Sequence, residues 1–273
     1  MQYIYFTKTM RSLDVGRMIE ELKKMGADGA DLCVRDGYVV NPANAKTELP
    51  RAVEQFKRAG LVVPMISAPT GLHNPEDPAA EALCAACHDA GVPYLKPGYW
   101  GFRSGPFEPQ LTAARKELEG WQRLATRFGV KCCLHTHSGN YLTVNASALY
   151  LVAQDSDPAA IGFYLDPGHL ALNGEPITMA LSIAGSRLNI VAIKDLMWER
   201  VPGDAVRRVR CVPLGEGFVN WREMMRYLHA EKYAGPLTFH SEYEDLGEDA
   251  LFEQTRKDIA YLRSVEQATS SAA

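Results

Sequence analysis

Eight times along the 273 residues, a short apolar run is followed by a stretch with helical periodicity. No other feature constrains the fold as tightly, because alternating strand and helix signals build parallel sheets. The strand candidates are 3–7, 30–35, 61–67, 94–96, 131–137, 161–166, 188–195 and 237–242. They are brief, mostly apolar and rich in β-branched or aromatic residues, as strands buried on both faces must be. The helical runs carry their own punctuation. Asp14 is placed to cap 15–25, with Gly26 as its stop, and 49–59, 108–128 and 221–233 each end at or just before a glycine. A last run covers 250–262.

Eight such units predict a single-domain (β/α)8 barrel over residues 1–265, since a barrel of this kind takes about 250 residues. The small polar residues 266–273 are expected to fray. The first strand is not followed by GxGxxG, so a dinucleotide-binding sheet gains no support. Net charge is −4, with no block of like charges, which argues against nucleic acid or an anionic membrane as partner. No apolar run approaches the ~18 residues of a membrane span. The opening residues lack the pattern of a secretory leader, so the chain reads as cytoplasmic. The six cysteines then read as reduced thiols. Cys84-Ala-Ala-Cys87-His88 matches a haem-attachment pattern, but it sits in an Ala-rich helical run and reads as packing.

A barrel puts its chemistry at the C-terminal strand ends and in the loops that follow. Polar residues gather there: Arg35, Lys96, His135, His137, Asp166, His169, Lys194, Asp195, His240 and Glu242, with His73 in the loop after strand three. Residues two apart on a strand share a face, so His135 and His137 form one pair and His240 and Glu242 another. Titratable groups converging on one mouth need a substrate, a metal or each other to compensate burial. Arg35, Lys96 and His73 are candidates to hold substrate. Lys194, His137, His169 and Glu242 are candidates for proton transfer. Trp198 and the loop 200–210 are candidates for a lid or for contact between copies of the chain in a homo-oligomer.

At these strand ends the chain resembles the sugar phosphate isomerase/epimerase family, the xylose-isomerase-like barrels. The marks are YLDPGH (164–169), AIKD (192–195), PLGEG (213–217) and GPLTFHSEYE (235–244), in order along nearly the whole chain. The resemblance implies one divalent metal held by Glu, Asp, His and Glu from strands five to eight. Here the strand-five position is His135, the strand-six Asp is Asp166, the strand-seven His is replaced by Ala192, and the strand-eight position falls on His240. His135, Asp166 and His240 would form a two-His, one-carboxylate set suited to manganese, iron, cobalt or zinc. The implied activity is metal-dependent isomerisation or epimerisation of a sugar, keto-sugar or polyol by proton abstraction next to a carbonyl. Elimination of water is the main alternative. Metal-assisted hydrolysis and a non-catalytic sugar-binding barrel are further alternatives.

Overall fold

The computed structural model describes residues 1–200, 203 and 207–270. Seven parallel strands come first: β1 (Gln2–Phe6), β2 (Gly29–Cys33), β3 (Val62–Ser67), β4 (Tyr94–Lys96), β5 (Lys131–His135), β6 (Ile161–Leu165) and β7 (Leu188–Ile193). An antiparallel hairpin follows, β8 (Asp195–Arg200) and β9 (Arg207–Val212), and then the last barrel strand, β10 (Pro236–Phe239). β1 pairs with both β2 and β10, so the eight-stranded sheet closes on itself. This is the (β/α)8 barrel that the alternation predicts.

The helices lie between the strands: α1 (Val15–Met25), α2 (Ala45–Arg58), α3 (Pro78–Ala90), α4 (Phe107–Phe128), α5 (Ala146–Ala153), α6 (Pro167–Leu172), α7 (Ile177–Ala184), α8 (Trp221–Ala230) and α9 (Glu248–Ser270). Asp14 caps α1 by accepting from the Arg17 amide at 2.8 Å, and Gly26 ends it at φ +76°. Gly29 shows why a strand carries a glycine: a Cβ there would sit 1.9 Å from the Val62 carbonyl oxygen on the neighbouring strand. The large apolar core fills the space between strands and helices. A smaller set inside the barrel contains Ile4, Met65, Cys133, Tyr164, Ile190 and Ala192. All six cysteines are unpaired, and Cys84 and Cys87 are buried in α3, as the packing reading of that motif requires. No described helix is long and apolar enough to cross a membrane.

Three sequence expectations change. Strand pairing stops earlier than predicted at β2, β5, β7 and β10, so Arg35, His137, Lys194, His240 and Glu242 stand in the segments just beyond the strands. The His137 amide, for example, donates to the Thr143 carbonyl of the following loop and not to a neighbouring strand. The tail does not fray at 266: α9 runs to Ser270, because Leu262, Val265 and Thr269 continue one buried face and the Tyr3 hydroxyl bonds Glu266 at 2.5 Å. The segment after β7, read as a lid or contact loop, is the β8–β9 hairpin. Its exposed residues carry ion pairs from Glu199 to Arg208 and Arg210, and Trp198 is partly exposed. Residues 201, 202 and 204–206 of that segment lie outside the described residues.

Asp195 is a framework residue. Its buried carboxylate accepts from the amides of Gly215 (2.9 Å) and Val219 (3.1 Å) and from the Trp221 indole (2.9 Å). This explains PLGEG as an anchored loop: a Cβ on Gly217 would meet Asp195 Oδ1 at 2.1 Å. Replacing Asp195 by Ala strands those donors in the interior. The cost is about 3 kcal/mol or more, which lowers Tm by roughly 10 °C in a chain of this size. Thermal unfolding measures it, and an unchanged Tm would remove the anchoring role.

Candidate active site

The C-terminal ends of the strands surround a pocket of about 120 Å³. Of the residues that the sequence singles out, Arg35, Lys96, His135, His137, Lys194, His240 and Glu242 line it. Asp166 lies against this wall through Lys194 and His135, and His169 stands beside Asp166. His73 is not brought in. Its Nδ1 meets Glu117 at 2.8 Å and its ring leans on Trp100, so it belongs to a loop-to-helix contact. Sequence reasoning missed Lys8, Tyr99, Tyr141, Tyr164 and Asp31. Asp31 left one usable signal, a lone charge inside an apolar strand run.

Asp166 is the hub. It leaves β6 as the N-cap of α6, accepts from the His169 amide at 3.2 Å and is fully buried. Its Oδ2 faces Lys194 Nζ at 3.2 Å, His135 Nε2 at 3.4 Å and His169 Nε2 at 3.7 Å. Lys194 Nζ also meets Glu242 Oε2 at 2.9 Å, and the other Glu242 oxygen pairs with the Lys8 ammonium. Burial alone would raise the Asp166 pKa. The Lys194 ammonium and the two imidazoles outweigh it and hold the carboxyl well below the usual range. Burial works against the Lys194 charge, but Asp166 and Glu242 prevail and raise its pKa. The sequence makes Lys194 a candidate for proton transfer; this environment favours its ammonium form.

Burial depresses the pKa values of His135, His137 and His169. Burial pushes His135 down to about 3 despite Asp166. Burial and then the Lys194 charge lower His169 and His137. His135 Nδ1 is tied to the Tyr99 hydroxyl at 2.5 Å and His169 Nδ1 to Ser138 Oγ at 2.8 Å. His137 has a determined tautomer. Its Nδ1 lies 2.7 Å from the Ser138 carbonyl, which can only accept, so Nδ1 carries the proton and Nε2 keeps its lone pair.

A second polar group lies deeper. His240 Nε2 meets the Tyr164 hydroxyl at 2.5 Å and stands 3.9 Å from Asp31 Oδ2, its ring stacked on Phe6. Asp31 is pushed up to about 7 by burial, against Ser67 and Lys96. Lys96 is pushed down to about 7 by burial and Arg35. Its Nζ sits 3.6 Å above the Tyr99 ring and has no hydrogen-bond partner among the described residues.

The predicted metal set does not assemble. His135 and Asp166 are adjacent, but His240 turns toward Tyr164 and Asp31, and Ala192 offers no donor. Among the described residues, no three His, Cys, Asp or Glu side chains are grouped to hold one ion.

No curated protein sequence matches the chain. Among solved structures, a D-tagatose 3-epimerase-like protein superimposes with TM-score 0.76 at 16% identity, over 100% of this chain and 99% of the other. A 3-keto-D-glucoside 4-epimerase from E. coli gives 0.75 at 14%, over 97% and 99%. A xylose isomerase-like TIM barrel protein from Mycobacterium smegmatis, in complex with magnesium, gives 0.70 at 16%, over 98% and 97%. At these identities the likeness is one of fold. The sequence profile of the xylose isomerase-like TIM barrels matches residues 19–265, and the chain belongs to that family.

Proposed function

We propose that the chain is an enzyme that moves a proton on the carbon next to the carbonyl of a keto-sugar or a related keto-polyol. The observation that carries this reading is the pairing, in one pocket, of a fixed ammonium with an imidazole whose lone pair is free: Lys194 and His137. Enolisation needs a base for the carbon-bound proton and a positive group for the oxygen that becomes an enolate. His137 Nε2 takes the first role and Lys194 Nζ the second. Arg35 and Lys96, which line the same pocket, hold hydroxyl or anionic groups of the substrate. The donors present do not fit a divalent metal, because His240 is committed to Tyr164 and the Lys194 ammonium lies between Asp166 and Glu242. Structural neighbours such as the 3-keto-D-glucoside 4-epimerase and the D-tagatose 3-epimerase-like protein support the choice of keto-sugar. Returning the proton to the other face gives epimerisation, to the adjacent carbon isomerisation, and loss of a β-hydroxyl elimination.

Proton NMR in D2O over a panel of ketopentoses, ketohexoses and 3-keto-glycosides tests this. Deuterium should enter at the carbon beside the carbonyl of at least one member. Elimination would show as loss of the β-carbinol signal. A panel in which sugars bind but neither exchange nor turn over would overturn the reading in favour of a binding barrel.

A further inference from the structure

We propose that the Lys194 ammonium occupies the place of a divalent cation in this barrel, as a built-in cation that excludes the metal. The magnesium complex of a xylose isomerase-like barrel sets the contrast, since that protein shares this fold and holds a metal ion. The Lys194 Nζ lies between two carboxylates on different strand ends, 3.2 Å from Asp166 Oδ2 and 2.9 Å from Glu242 Oε2. Two neutral imidazoles face the same Asp166 oxygen, His135 Nε2 at 3.4 Å and His169 Nε2 at 3.7 Å. Neither nitrogen has a hydrogen-bond partner among the described residues. Ligand atoms around a tetrahedral ion with bonds of about 2.1 Å stand about 3.4 Å apart. The oxygen–nitrogen spacings around Asp166 Oδ2 come close to that value, yet the ammonium stands among them and the described residues form no group that could hold an ion.

Charge and backbone fix that ammonium. Asp166 and Glu242 carry two negative charges, and Lys194 with Lys8 carries two positive ones, so the cluster is balanced. A dication entering here would lie beside a buried ammonium with no spare negative charge to compensate it. Ala192, two residues earlier on β7, supplies neither a ligand nor bulk. The chain at Lys194 is held against the turn that presents Asp166: a Cβ on Gly168 would come within 2.8 Å of the Lys194 carbonyl oxygen. The ammonium therefore arrives at the carboxylate as part of the fold.

The test reads metal, not turnover, so its failure is separable from failure of the proton-transfer reading. Wild-type protein, expressed with Mn²⁺ and Zn²⁺ in the medium and gel-filtered, should retain less than ~0.1 ion per chain by elemental analysis. Calorimetry should show no Mn²⁺ site tighter than about millimolar. Lys194→Ala removes the ammonium and leaves two carboxylates and two imidazoles, so it should retain about one ion and bind Mn²⁺ or Zn²⁺ at least ~100-fold more tightly than wild type. One tightly held ion per wild-type chain overturns the proposal, and that measurement stands even if the variant does not fold. A folded Lys194→Ala protein with no gain in affinity also overturns it.

Discussion

Lys194→Met should lower kcat by about 10³, the upper range for loss of one positioned partner of an oxyanion, while KM changes by less than about threefold. The split follows from where the charge acts. An ammonium beside Asp166 and Glu242 is already neutralised toward the ground-state substrate, and its pull grows only as the carbonyl oxygen gains charge. Lys194→Arg keeps the cation, although its planar fork cannot reproduce both contacts. It should retain about a tenth of wild-type kcat. Asp166 and Glu242 keep the amine charged, so loss of a neutral amine is not the cause of the defect. Arg as inactive as Met would mean that Lys194 works as a neutral base, and full activity in both would end its catalytic role. Removing the ammonium also leaves Asp166 as a buried unpaired charge, at a cost of about 3–5 kcal/mol. The Met variant should therefore be assayed well below its measured Tm. Chelators should leave wild-type turnover unchanged, because the cation is part of the chain.

The barrel was legible because its signal is repeated. Eight buried strands each need an apolar run, and each αβ joint needs a stop such as Gly26 or Gly129, so local patterns agree with the global fold. The site was legible only in outline. Strand-end geometry picked out Lys194, His137 and Glu242, all of which line the pocket. It failed where side chains choose partners by small rotations. His240 stands at a strand end as the metal reading requires, yet it turns to Tyr164, a residue that looks like core. His73 occupies a mouth loop, yet Glu117 on α4 captures it. Asp31 and Lys96 acquire their character from burial among groups far away in sequence, Ser67, Arg35 and Tyr164, which no local pattern reveals. The hairpin after β7 was hidden for a different reason. Its exposed residues are mostly arginines, without a sustained apolar alternation, so it reads as loop.

His137→Ala should lower kcat/KM by 10²- to 10⁴-fold, the usual worth of a positioned general base, and should change the shape of the pH profile. A base must be unprotonated to act, so kcat/KM falls as pH drops through its pKa. Burial and the Lys194 charge depress the His137 pKa, which places the acid limb of the wild-type profile below the ordinary histidine value of about 6.5. The residual activity of His137→Ala should lack that limb. Lys96 is the competing base, since its amine is also buried at the pocket wall and is pushed down to about 7. If Lys96 were the base, the limb would lie near 7 and would survive in His137→Ala. The Lys194 variant separates the two further. The ammonium is the second cause of the depressed His137 pKa, after burial, so Lys194→Met should move the remaining limb upward toward 6.5. The Lys96 pKa is set instead by burial and by Arg35, and a limb belonging to Lys96 would stay where it was. Profiles of wild type and both variants between pH 4.5 and 9 (about the range in which both groups titrate) decide the assignment. A limb that persists in His137→Ala and ignores Lys194→Met transfers the base to Lys96.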